Sequence, residues 1–411
     1  MSRKRKLRDL KKNLIFYIIT FIMIFLSTFA FSGIYAYMDG INNNSIKYYE
    51  ERNLQDLWLY CKDGFTKEDM VKVKGVSNVN NAERSMSIKA SVLNGNNYVD
   101  YTTGSKINNM TLELNFIETN QISTFYYIQG EGFDQEKSGL WLDSYLAKND
   151  KIQVGDTLKL DIDGYEIEEK VVGLIMVPDH VYFLDENAEV PTHIDYGFAY
   201  LSINEFPMQY IYDKLNVSKD SFEELQKHYK TQEYYVFPKM IVDIENTSLL
   251  DETKKAIEEK LNKQITILDR SDDSNYEKSL NNNSKDDLEL KLYSIVFIML
   301  TTILVSRIMN RFVKGYRAKI ITMKALGVKN SKIIWHYIRP GLIIGAISSA
   351  LGIVFGKMIL ADYFFREKMI YFEIPSMSFA ITPVVYFASI AQIAIIIITI
   401  YLSCTKILKN N

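Results

Sequence analysis

The sequence predicts an α-helical membrane protein with four transmembrane helices and one mixed α/β extracytoplasmic domain between the first and second of them. Three observations point there. Long uncharged stretches lie at the N-terminus and in the last third of the chain, while the middle is polar. Basic residues concentrate beside those stretches in a pattern that sets one orientation for all four crossings. The middle shows strand-like alternation broken by turn residues, with helix-like stretches between.

The 411 residues leave room for several domains. A mean hydropathy near zero averages over the two kinds of segment and hides the split. From Asn13 to Met38 no residue is charged, and about 20 apolar residues suffice to span a bilayer. A cleavable signal peptide would have an apolar core of only about 7–15 residues. This run is longer and carries Tyr35 and Tyr37 at its outer end as interface anchors, so it is read as a retained helix over 13–38. The second span is assigned to 288–309, where Leu292–Ser306 is uncharged and Lys291 and Arg307 reach to the interfaces. The third is assigned to 340–361. It carries Gly341, Gly345, Gly352 and Gly356, spaced four apart in pairs, which lets helix backbones approach closely within a bilayer. The fourth is assigned to 382–404, its start marked by Pro375 and Pro383.

Charge sets the orientation. Residues 1–12 hold Arg3, Lys4, Arg5, Lys6, Arg8, Lys11 and Lys12 against Asp9 alone, and read as a basic amphipathic helix on the membrane surface. Arg307–Arg339 carries nine basic residues and no acidic one, and Lys406 and Lys409 follow the last span. The loop over 362–381 is net negative. The positive-inside rule therefore places both termini (1–12 and 405–411) and the 310–339 loop in the cytoplasm. The domain over 39–287 lies outside. Residues 39–291 hold 27 basic and 46 acidic residues, a net charge of −19. That charge serves solubility and repulsion from an anionic surface more simply than it serves a cationic ligand.

Within that domain, Phe65–Val73 reads as a helix and Ser85–Leu93 as a strand ending at Asn94-Gly95. Thr157–Ile162, Asp163-Gly164 and Tyr165–Val172 read as a hairpin. Ser221–Tyr229 and Leu250–Leu261 read as amphipathic helices, and the Asn-rich stretch 269–285 as a linker. Asp286–Lys291 begins the second long helix as a stalk. Only two cysteines, Cys61 and Cys404, are present, and the assigned topology puts them near opposite faces of the membrane, where they cannot pair. His180 and His193 with Asp179, Asp185 and Asp195 are the nearest thing to a metal cluster, but they lack close ligand spacing. No phosphate-binding G-x-x-x-x-G-K-[S/T] loop occurs, and no catalytic constellation is legible. No cofactor and no nucleic-acid partner are expected.

Three regions resemble the MacB/FtsX-like permeases of ABC transporters. One is the layout itself. The second is Trp141–Ile175, where Ala147-Lys148, Val154-Gly155-Asp156-Thr157 and Val171-Val172-Gly173 look like the family's periplasmic-core hairpin. The third is Lys324-Ala325-Leu326-Gly327-Val328, similar to the family's cytoplasmic Ala-Leu-Gly motif. The sequence departs from the pattern just before it, with Lys319 where an acid is usual and Ile321 where a glycine is usual. Tyr196–Tyr200 looks closest to a subgroup whose members often fuse two such units, of which this chain has one. The resemblance implies a MacB-like periplasmic core and a permease subunit. It implies as partners a separate cytoplasmic ABC ATPase, a second permease subunit and membrane lipids. It also implies a role in ATPase coupling for Tyr316, Ile320, Met323, Lys324, Ala325, Leu326, Gly327 and Val328, in which Ile320, Met323, Lys324 and Leu326 present an apolar and basic surface and Gly327 ends a short helix. A membrane receptor, or a regulator of a cell-wall enzyme, is the alternative. A receptor would need a signalling partner, since its largest cytoplasmic piece would be the 310–339 loop.

Overall fold

The computed structural model describes residues 14–95, 98–99, 106–107, 110–183, 191, 195–215, 218–221, 237–273, 276, 285–375 and 378–409. The N-terminal basic stretch, His193, Asp185, His228, most of Ser221–Tyr229 and part of the 269–285 linker lie outside these residues. Two compact units result. One comprises Met1–Asn43, Asn281–Lys368 and Met377–Asn411; the other comprises Asn44–Leu280 and Met369–Ser376.

The first unit is built from helices long and apolar enough to cross a membrane: Leu14–Glu51, Leu288–Gly315, Asn330–Lys368 and Pro383–Lys409. Their polarity is inverted relative to a soluble bundle. Ser27, Thr28, Ser32, Ser348, Ser389 and Gln392 are buried, while Ile15, Met299, Leu300, Phe387, Ile390 and Leu402 face outward. Lipid is the solvent that rewards that arrangement. The polar groups find partners inside. Gln392 Nε2 donates to Ser27 Oγ at 3.0 Å, Ser403 Oγ to Asn310 Oδ1 at 3.0 Å, and Ser32 Oγ to the Ile353 carbonyl at 3.1 Å.

The helices outrun their apolar stretches. The second runs over Lys285–Gly315 and the fourth over Pro383–Lys409. The third starts at Asn330, so that Pro340, expected at its start, lies inside it. Its first turns mix Lys332, His336 and Arg339 with apolar residues, which a count of uncharged stretches cannot register. It passes through a π-helical turn at Gly356–Leu360 into Ala361–Lys368.

The second unit combines two sheets that share a strand. Its elements include β1 (Leu57–Tyr60), α1 (Lys67–Lys74), β2 (Val79–Val92), β3 (Tyr98–Val99), β4 (Lys106–Ile107), β5 (Met110–Ile117), β6 (Tyr126–Gly130) and β7 (Leu140–Asp143). Then come α2 (Ser144–Asp150), β8 (Thr157–Ile162), β9 (Tyr165–Met176), β10 (Tyr196–Ser202), α3 (Met208–Leu215), β11 (Lys239–Ile244), α4 (Leu250–Leu261) and β12 (Thr266–Asp269). Strands β12, β1, β11 and β2 lie side by side in that order, all antiparallel. With α1 following β1 and α4 following β11, this is the ferredoxin-like βαββαβ arrangement, opened between β2 and β11 by a long insertion. Leu57, Leu59, Val73, Ala82, Val242, Ile257 and Leu261 form its core.

The insertion closes on itself. β2 pairs with β5, β5 with β10, β10 with β7, β7 with β9, β9 with β8, and β8 with the far end of β2. A closed ring leaves no open edge among these six strands. Its interior is filled by Met86, Leu112, Leu114, Leu142, Leu160, Val171 and Leu201. The β8–β9 turn has the chemistry the sequence called for: Asp163 and Gly164 both have positive φ, at 50° and 91°, as a two-residue type I′ hairpin turn requires.

Thr66 caps α1. Its side chain accepts the Asp69 N–H at 3.1 Å, and Asp69 Oδ2 accepts the Thr66 N–H at 2.9 Å. This reciprocal box satisfies two donors that a helix start would otherwise leave open. Thr66→Ala is expected to cost about 1 kcal/mol, and the loss should appear as faster amide exchange confined to α1. Unchanged protection there would show that the cap contributes nothing.

Candidate functional site

The segment singled out by the sequence begins where the second long helix ends. After Gly315 a short helix spans Arg317–Ala325. It stops in a Schellman arrangement: the Gly327 N–H donates to the Lys324 carbonyl at 2.9 Å and the Val328 N–H to the Met323 carbonyl at 3.2 Å. Gly327 sits at φ 79°, the left-handed position that glycine fills at least cost. The stop is thus built into the backbone.

The side chains divide into two sets. Ile320 is fully buried among Val313, Ile333, Ile400 and Cys404. Met323 and Tyr316 pack against the same cluster, with the Tyr316 ring 5.1 Å from Phe312 and 5.9 Å from Tyr337. Lys324 Nζ donates to the Leu408 carbonyl at 2.8 Å, so its charge lies at the C-terminal end of the fourth long helix, where a cation is favoured. Ile320 therefore presents no surface, contrary to the expectation, because an isoleucine on the inward face of a short amphipathic helix is worth more in the core. Lys324 has an internal partner and is only partly exposed.

The outward set is continuous. Ala325, Leu326, Gly327, Val328, Lys329, Asn330, Ser331 and Lys332 are all exposed. Leu326 shows 76% of its surface and Trp335, on the first turns of the third long helix, 56%. Trp335 was not anticipated from the sequence. The signal was available: a tryptophan within the Arg307–Arg339 stretch, which carries nine basic residues and no acidic one. Of the four glycines, Gly341 and Gly345 face Ile400 and Ile393 of the fourth helix, and Gly352 and Gly356 face Thr28 and Phe29 of the first.

Residues 291–411 match the FtsX-like permease C-terminal family. This part of the chain is similar to the C-terminal part of FtsX-like permeases. The match takes in the second, third and fourth long helices and the exposed turn between them. The chain also has four helices long and apolar enough to cross a membrane. No curated protein matches the sequence. Among solved structures, the extracellular domain of the noncanonic ABC-type transporter YknZ from Gram-positive bacteria is similar at 12% identity and a TM-score of 0.31, covering 52% of this chain and 100% of that one. A likeness of that size says nothing of function. Among the described residues no group of three or more His, Cys, Asp or Glu side chains is placed to hold a metal ion.

Proposed function

We propose that this chain is a permease subunit of an ABC transporter complex in a bacterial cell membrane, working with a separate cytoplasmic ATPase and a second permease subunit. ATP is bound and hydrolysed in the partner, and the movement passes through the FtsX-like helices to the α/β domain outside the cell membrane. Substrates of the class would be peptides, lipid-linked molecules or antimicrobials. Both termini and the Arg307–Arg339 segment lie in the cytoplasm by the distribution of basic residues.

The observation that carries this reading is the exposed turn Ala325–Lys332. An apolar side chain as open as Leu326, fixed at a rigid helix end with Lys329 and Lys332 following in the same exposed turn, is a surface with an unfilled partner. It lies within the FtsX-like residues and on the face assigned to the cytoplasm. Ile320 and Met323 anchor the short helix from behind, so a push on Leu326 is transmitted to the bundle core rather than absorbed by a loose loop.

The test is co-purification of the chain from native membranes in mild detergent, with Leu326→Asp alongside. Placing a charge at an interface anchor costs about 2 kcal/mol or more, roughly thirtyfold in affinity, so the ATPase is expected to co-purify with the wild type and be lost from the variant. Val71→Asp, at an exposed position of α1, serves as the control and is expected to retain it. Retention by Leu326→Asp would remove the turn from the contact. Absence of any ATPase from the wild type, under conditions that keep other transporters whole, would leave the receptor reading in its place.

A further inference from the structure

The segment Met369–Ser376 links the third and fourth long helices in sequence but belongs to the α/β unit. It is held there at its centre. The Glu373 N–H donates to the Val181 carbonyl at 2.8 Å, and the Phe372 ring lies 4.9 Å from that of Tyr182. Phe372 and Ile374 are buried, and Glu373 between them has no exposed surface at all.

A glutamate is an unusual residue to bury at the centre of an apolar attachment. The side chain it interacts with there is a second carboxyl, that of Asp143 at the end of β7. Asp143 is equally inaccessible. Its Oδ1 accepts the Tyr145 N–H at 2.7 Å as the N-cap of α2. Space for its Oδ2 is left by Gly197 on β10, where an added Cβ would lie 3.1 Å from that oxygen. Two ionised carboxylates can only accept hydrogen bonds and repel each other in an apolar interior, so the buried pair is stable with a proton on one.

The other titratable groups around the pair come from three elements. Tyr145 of α2 feels both Glu373 and Asp143. Tyr48, at the end of the first long helix, feels Glu373, with Arg52 and Asp179 acting on the same hydroxyl. His180 lies beside Asp179 at 3.6 Å and bonds to the Tyr200 hydroxyl at 3.2 Å.

We propose that Asp143 and Glu373 form a proton-binding site that latches Met369–Ser376 into the α/β domain, so that the segment seats with one proton held between the two carboxyls and is released when that proton passes to water. Burial pushes the Glu373 carboxyl well above the ordinary carboxylate range, more than the interaction with Asp143 brings it down. The seated pKa is therefore higher than the released one. Seating is fully favourable below the released value, near 4.5. It is lost progressively as pH rises from there to the seated value, and it levels off above that. Over that window the seated-to-released ratio falls about tenfold per pH unit. The latch is independent of the permease reading, and its test needs no ATPase.

Hydrogen exchange of the full chain in detergent micelles, corrected for the intrinsic pH dependence of amide exchange, reads this directly at the Glu373 amide. The wild type is expected to show corrected exchange that rises about tenfold per pH unit and then levels off. Glu373→Gln supplies a neutral group of the same shape that donates to Asp143, and its profile is expected to be flat and slow. Asp143→Asn keeps the cap acceptor and offers an amide N–H to ionised Glu373, so its pH dependence should be much weaker than that of the wild type. A flat wild-type profile would overturn the proposal. So would a wild-type-like profile in Glu373→Gln or, should that variant not fold, in Asp143→Asn.

Discussion

Glu118→Ala is expected to destabilise the α/β domain by about 3–5 kcal/mol, the range for breaking a buried ion pair from one side. The reason lies in Arg84, on the strand that the ferredoxin-like half and the closed barrel share. Arg84 is 1% exposed. Its Nη2 and Nε donate to Glu118 at 2.8 and 3.1 Å, its Nη1 to the Phe65 carbonyl at 3.1 Å, and its guanidinium lies 4.1 Å from the centre of the Phe237 ring. One side chain thus ties the loop before α1, the end of β5 and the approach to β11. An arginine cannot escape by losing its proton, so removing Glu118 strands a full charge in the interior. Arg84→Lys should fail to rescue, because an ammonium cannot reproduce the fork and the stack together. Amide exchange of β2 in the full chain is the measurement, and about two to four orders of magnitude of lost protection the expected size. Protection within a factor of a few of the wild type would mean that the two halves of the domain do not depend on this residue.

Much of the architecture was legible because it follows from period and polarity. The four apolar runs, the Asp163-Gly164 turn, the α4 helix and the Gly327 helix stop each rest on a local rule that tertiary context had no reason to override. The closure of six strands into a ring was not legible. It depends on β2 being long enough to pair with β11 at one end and β8 at the other, and pairing partners leave no trace in one sequence. The candidate site was half legible. The motif marked a helix stop that the backbone has at Gly327, yet periodicity on a short helix did not separate Ile320, which faces the core, from Leu326, which faces out. The Asp143–Glu373 pair was invisible, since the two residues are far apart in sequence and each looks like a surface acid on its own.

The glycines of the third long helix divide into two kinds, and that division sets the second large effect. At Gly345 an added Cβ would lie 3.3 Å from Ile393 Cγ1, and at Gly341 it would lie 2.9 Å from Ile400 Cδ1. Both neighbours are movable atoms of side chains on the fourth helix. At Gly352 the same atom would lie 1.9 Å from Thr28 Oγ1 and 2.8 Å from the Phe25 carbonyl, and at Gly356 it would lie 2.4 Å from the Phe29 carbonyl. Backbone cannot rotate aside, so a side chain there must separate the first and third helices. The contact is closed from the other side too, since a Cβ on Gly33 would lie 2.6 Å from Leu360 Cβ. Overpacking of this kind costs about 1–3 kcal/mol and occasionally more. Close approach is also the main source of helix association where the solvent is as apolar as the side chains. Gly352→Leu is therefore expected to abolish a stable bundle, with the protein lost as a monodisperse species on size exclusion in mild detergent. Gly345→Ala should purify like the wild type with a melting temperature within a few degrees. Rotating Thr28 out of the way, as in a Thr28→Ala background, should not rescue Gly352→Leu, because the Phe25 carbonyl remains. A Gly352→Leu protein that purifies and melts like Gly345→Ala would show that the first and third helices are not held by backbone contact.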